Sequence, residues 1–184
     1  MKKTLNEMAA EVHLANKKWW EDLTTGQPIS RNAGELLMLV ITEFGEAVEG
    51  IRKNLMDDKL PHRRMEEVEI ADAYIRLLDY AGGFKLNLAG VVVDTSHPGW
   101  PEGDNKAEHI LMLSMIVTAC YPGFHGQHPG ESTPSIIGAL KFIELYCAKF
   151  GLDLEGAMTE KLAYNAVRVD HTHEHRAGEH GKKF

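Results

Sequence analysis

Apolar residues recur every three or four positions along most of the chain, a spacing that only a helix turns into one continuous buried face. Between Asn6 and Trp20 the recurring set is Met8, Ala9, Val12, Ala15, Trp19 and Trp20. TTGQPIS then breaks the period, with Gly26 and Pro28 as punctuation and Ser30 placed to cap the next helix. The pattern predicts helices over about 33–54 and 65–82, a short one capped by Asn87, then 105–120, 135–150 and a last one from the Asp153 cap to about Val169. Loops are expected at MDDKLPHRR, at DTSHPGWP and at YPGFHGQHPGESTP. Nothing alternates at the period of a strand, so the expected class is all-α. A length of 184 residues suits one domain spanning 1–184, with a helical insertion or degenerate repeat at about 92–135. YAGGFKLNLAG (Tyr80–Gly90) and YCAKFGLDLEG (Tyr146–Gly156) share Tyr, Phe, two Leu and Gly at matching offsets. Two origins remain open for them: an ancestral duplication, or two uses of one helix–turn–helix solution.

The composition narrows the function. A net charge of −7 argues against a protein built to coat a nucleic acid polymer or an anionic membrane. It leaves a nucleotide substrate open, because a divalent cation inverts the local field. No apolar run approaches the ~18 residues of a membrane span, and MKKTLNEMAA lacks the apolar stretch of a signal peptide. Cys120 and Cys147, both in apolar helical stretches, read as buried reduced thiols, and the expected compartment is the cytoplasm.

Acids stand inside the most apolar helices. Glu43 and Glu46 are three apart among Leu39, Val40, Ile41, Phe44 and Val48. Glu69 and Asp72 repeat that spacing among Val68, Ile70, Ala71, Tyr74, Ile75, Leu77 and Leu78. Residues three apart share a helix face, so antiparallel neighbours would bring all four carboxylates together. Two charges ~5 Å apart repel by about 3 kcal/mol at an effective dielectric near 20. Salt bridges from Arg76, Arg52 or Lys53 are one resolution; a hard divalent cation, Mg²⁺ or Mn²⁺, is the other. A di-iron centre would require Glu-x-x-His pairs. Three positions after Glu46 and Glu69 stand Glu49 and Asp72 instead.

ITEFGEAVEGIRK followed by EEVEIADAYIRLLDYAG resembles the MazG-like nucleoside triphosphate pyrophosphohydrolases, an all-α superfamily whose signature is EExxE, a spacer and ExxD. Glu43 and Glu46 match the last two acids of the first element, and Glu69 and Asp72 match the second. Thr42 occupies the place of the first acid, a departure implying that the role is dispensable or taken by a neighbour such as Glu49. The likeness covers about residues 8–90 and returns over 150–184 in EKLAYNAVR and HGKKF, while about 92–135 has no counterpart. NLMDDKLPHR resembles a phage or bacterial branch, and the phage MazZ-type branch acts on guanine deoxynucleotides.

The resemblance implies Mg²⁺- or Mn²⁺-dependent cleavage of a (d)NTP between its α- and β-phosphates, giving (d)NMP and pyrophosphate. Glu43, Glu46, Glu69 and Asp72 would hold metal, with Glu43 or Glu46 nearest the attacking water. Lys161, Asn165 and Arg168 fall at i, i+4 and i+7 and would face phosphates; Arg63 and Arg64 are further candidates. Val12, Asn16 and Trp20 form one stripe, from which Asn16 and Trp20 would read the base. A homo-oligomer, dimer or tetramer, is the expected assembly. His171, His173, His175 and His180 read as a mobile or substrate-lapping tail, with a metal-binding tail as the alternative, and His125 and His128 as loop residues rather than zinc ligands. Two other readings stay open: a catalytically silent nucleotide-sensing protein on the same scaffold, and a structural protein whose acids are salt-bridged.

Overall fold

A computed structural model describes residues 3–90, 92–94, 99–121 and 132–182. His125 and His128 lie outside them. Seven α-helices follow in order: α1 (Leu5–Asn16), α2 (Ala33–Lys53), α3 (Met65–Gly83), α4 (Lys106–Ala119), α5 (Thr133–Phe150), α6 (Leu154–Val167) and α7 (His173–Ala177). Short 3-10 turns occupy Lys17–Trp19 and Val169–His171. There is no strand among the described residues, and no helix long and apolar enough to cross a membrane. The chain is all-α.

Local chemistry fixes most helix ends. Thr4 and Glu7 form a reciprocal capping box on α1, and Asn105 and Asp153 cap α4 and α6 by accepting from Glu108 and Gly156 amides. Asn32, not Ser30, caps α2, its Oδ1 accepting from the Glu35 amide at 3.1 Å. Asn54 ends α2 in the left-handed region (φ 52°, ψ 49°), which Asn tolerates better than most residues. The expected α-helix through Trp20 stops at Asn16, and its last turn tightens to 3-10.

α3 is the central element, with Ile70, Ala71, Ala73, Leu77, Leu78 and Tyr80 fully buried. Its most extensive partner is α2. The two run antiparallel: a Cβ on Gly50, late in α2, would meet Met65 at the start of α3, while Glu43 pairs with Arg76 further along. α1 crosses the far end of α3 at Gly82 and Gly83. A Cβ on Gly82 would stand 2.7 Å from the Ala9 carbonyl oxygen, and one on Gly83 2.2 Å from the Trp20 ring. Gly83→Ala is therefore expected to cost about 1–3 kcal/mol, the usual penalty of overpacking. Urea denaturation reads this directly, and an unchanged midpoint would contradict the close approach.

The two similar segments end their helices in the same way. Tyr80 packs on Phe84 at 4.7 Å and 59°, and Tyr146 on Phe150 at 4.8 Å and 56°. Lys85 and Gly151, at matching offsets, both take positive φ (55° and 65°). The Leu86 and Leu152 amides then close back on the Ala81 and Cys147 carbonyls, each at 2.9 Å. There the likeness stops. Asp153 opens α6, but Asn87 opens no helix: its Oδ1 accepts from Ala89 N and Asn6 Nδ2, and the described residues that follow are not helical. Within the 92–135 region, α4 packs against α2 and α5. Cys120 and Cys147 are free and buried, and burial pushes both thiols up to about 12.

Candidate functional site

The antiparallel pairing of α2 and α3 brings Glu43, Glu69 and Asp72 together, one carboxylate oxygen from each lying within 4.8 Å of the others. Glu43 and Glu69 are only 5% exposed. Lys161 of α6, 3% exposed, reaches in from the third side and places Nζ 2.9 Å from Asp72 Oδ2. Arg76 directs both Nε and Nη2 at Glu43 Oε1, each at 2.6 Å. Three acids thus share two cations. Burial pushes Glu69 up to about 9, with Asp72 and Glu43 adding to the rise and Lys161 opposing it. Burial also raises Asp72, against Lys161 and Arg76. At Lys161 burial pulls the ammonium down, but Asp72, Glu69 and Asp57 outweigh it and hold the group above the ordinary lysine value.

A cavity of about 350 Å³ opens beside this cluster. Glu43, Glu46 and Asp72 line it from the acidic side, and Leu36, Leu39 and Ile75 give it an apolar floor. Arg31, Arg76, Arg168 and Lys182 supply cations, with Asn16, Trp19, Asn165 and His171 in the remaining wall. Glu46 is exposed and stands outside the three-acid group. Glu69 and Lys161 do not line the cavity. Thr42 lines it, its hydroxyl bonded to the Leu39 carbonyl at 2.7 Å. Glu49 offers no substitute acid there, being paired with Arg52 and Lys53.

Comparison with protein-family models, curated proteins and solved structures returns no match.

The chemistry therefore rests on the residues themselves. The acid group is all oxygen, with neither imidazole nor thiolate in it, a donor set suited to Mg²⁺ or Mn²⁺ rather than zinc or iron. With Glu69 raised to about 9, the three acids balance their two cations by retaining a proton, which a further cation would displace.

Several sequence expectations change place. Trp20 does not line the cavity; it is 8% exposed, and its indole N–H donates to both Asp79 oxygens at 3.1 Å while His13 meets Oδ1 at 2.9 Å. Its neighbour Trp19 is the indole at the wall. One residue of shift follows from the tightened 3-10 turn, which leaves position 19 rather than 20 at the cavity, against His171 and Arg176. Arg63 is taken up by Glu67, Asp153 and Glu160 at 3.2, 3.1 and 2.8 Å, tying α3 to α6, and is not free for phosphate. Arg64 is exposed at the start of α3. Neither lines the cavity.

The C-terminal segment folds back over the site. Arg176 is 1% exposed, sits 3.9 Å from the Trp19 ring centroid, and donates to the Lys18 carbonyl. Asp170 accepts from Arg168 Nε and Nη2 at 2.8 and 2.6 Å and meets Lys182 at 3.1 Å. These contacts bring Arg168, His171 and Lys182 to one wall. Sequence reading marks Arg168 and His171 but neither Lys182 nor Arg31 as individual site residues, because those two come from segments with no helical period to place them.

Burial first and the neighbouring Arg168 second lower His171 from 6.5 to about 4. The folded protein thus refuses a proton that the unfolded chain accepts, so stability declines as pH falls from about 6.5 to 4. An NMR titration of the His171 ring should centre near 4; a midpoint above 6 would mean that the segment does not cover it.

Proposed function

We propose that the protein is a metal-dependent (d)NTP pyrophosphohydrolase. The observation carrying this reading is the buried group of Glu43, Glu69 and Asp72, with more acid than cation, at the edge of a cation-lined cavity. The resemblance of the two acidic helices to the MazG-like superfamily, and to its guanine-preferring phage branch, supports the same chemistry.

Bound at the acids, Mg²⁺ or Mn²⁺ would neutralise the triphosphate and acidify a water. Arg76, Arg168 and Lys182 line the same cavity as the acids, unlike Arg63, and would meet the phosphate chain with the positive charge that Glu43 and Asp170 do not fully offset. Glu46, exposed at the lip and without an ion-pair partner among the described residues, orients the attacking water and takes its proton. The water oxygen bonds to the α-phosphorus, the α–β bridging P–O bond breaks, and pyrophosphate leaves with the bond's electron pair. The products are (d)NMP and pyrophosphate.

The reading includes a homo-oligomer, dimer or tetramer, in the cytoplasm. Leu111 and Met115, one turn apart on α4, are 63% and 61% exposed, an apolar face of the kind that meets another subunit.

A second reading, in which the acids are structural, draws on the Lys161–Asp72 and Arg76–Glu43 pairs. A product-resolved assay separates the two. Incubation with each common NTP and dNTP plus Mg²⁺, followed by ion-exchange chromatography, should release monophosphate and pyrophosphate. Orthophosphate release alone, or no turnover with Mg²⁺ or Mn²⁺, would overturn the proposal.

A further inference from the structure

Buried polar atoms in native proteins nearly always find hydrogen-bond partners. Six buried side-chain atoms here have none among the described residues. Three of these, Arg31 Nη2, Asn165 Oδ1 and His171 Nδ1, belong to residues in the wall of a single cavity, the one beside the acids. Arg31 and His171 are themselves 9% and 8% exposed. Arg31 is already committed on one side, Nη1 donating to the Trp19 carbonyl at 2.8 Å, which fixes the guanidinium and leaves Nη2 over.

The chemistry of these atoms selects what could satisfy them. Arg31 Nη2 can only donate, so it requires an acceptor. Asn165 Oδ1 can only accept, and an ionised phosphate has no proton to give it. The Asn165 oxygen thus needs a donor that the phosphate chain does not supply. A nucleobase edge offers a donor and an acceptor side by side. Its flat apolar faces suit the floor of Leu36, Leu39 and Ile75 and the indole of Trp19.

The placement along the helices agrees. On α3, Asp72 and Asp79 both line the cavity seven residues apart, and on α2 so do Glu43 and Leu36. Each interval is about 10 Å of helix rise. The acids lie at one end of that interval; Arg31 and Trp19, next to the Asp79 end, lie at the other. A phosphate chain at the acids would put a sugar in the middle and a base at the far end.

We infer that Arg31, Asn165 and His171, with Trp19 beside them, are the residues that read the nucleobase. The inference deepens the nucleotide reading above, resting on its binding part and not on turnover.

The test is equilibrium binding by calorimetry with Mg²⁺ present, as the reading requires at the acids; none of the probes is a triphosphate, so no turnover accompanies binding. The probes are the four deoxynucleoside monophosphates, deoxyribose 5-phosphate and inorganic pyrophosphate. At least one monophosphate should bind about tenfold more tightly than deoxyribose 5-phosphate, the worth of one well-made contact. Asn165→Leu should reduce that advantage to about twofold or less and leave pyrophosphate affinity unchanged, while Asn165→Asp, which keeps an acceptor, should restore part of it.

Monophosphates that bind no better than deoxyribose 5-phosphate would overturn the inference, leaving the unpaired atoms to water. So would an Asn165→Leu variant that weakens pyrophosphate equally, or an Asn165→Asp variant that restores nothing. Discrimination among bases without turnover in the product assay would remove the hydrolase reading and leave this one standing. Turnover without discrimination would do the reverse.

Discussion

Replacing Lys161 by methionine should lower the free energy of unfolding by about 3–5 kcal/mol, the usual cost of stripping one partner from a buried ion pair. Lys161 is 3% exposed and holds Asp72 at 2.9 Å, so its loss leaves Glu43, Glu69 and Asp72 with Arg76 alone. The methionine stem fills much of the same space, which confines the effect to charge. Added Mg²⁺ should then recover more stability in the variant than in the parent, because the ion meets a larger unbalanced charge. Urea denaturation with and without Mg²⁺ checks both. A loss under about 1 kcal/mol, typical of an exposed pair, would mean that solvent already screens the acids.

Glu46→Gln carries the largest expected effect on activity. Glu46 lies at the exposed lip, outside the three-acid group, so its amide should leave folding and the Mg²⁺-dependent thermal shift nearly intact. Turnover should fall by about 10²–10⁴-fold, the contribution of a positioned general base. That division, kcat lost while metal binding stays, separates a catalytic Glu46 from a structural one. If the acids serve only to hold α2 and α3 together, Glu46→Gln is neutral in every readout.

The regular parts of the fold were legible because helical periodicity is a local signal. Helices predicted at 33–54 and 65–82 are seen at Ala33–Lys53 and Met65–Gly83. The two three-residue spacings, once antiparallel pairing was assumed, anticipated a group of four acids; Glu43, Glu69 and Asp72 do meet, while Glu46 stands outside them. What failed depended on geometry that spacing does not encode. Asn87 looks like Asp153 at its matching offset, yet its side chain is held by Asn6 and Ala89 instead of a new helix turn. Trp19 and Trp20 both continue the apolar spacing of α1, and the 3-10 turn decides which of the two meets the cavity. Lys161 was read as a phosphate ligand from its spacing with Asn165 and Arg168. Only the approach of α6 to α3 shows its ammonium on Asp72. The cations Arg31 and Lys182 stand 151 residues apart in sequence, and no periodicity could have joined them.

The central claim is that Glu43, Glu69 and Asp72 bind a divalent cation. Titrating Mn²⁺ into the metal-free protein, with free Mn²⁺ followed by electron paramagnetic resonance, tests it without reliance on any substrate. Saturable binding that disappears in Asp72→Asn, with the variant still folded by circular dichroism, is the predicted result. No saturable binding, or equal binding by parent and variant, would contradict it and leave the three acids as a salt-bridged joint between α2, α3 and α6.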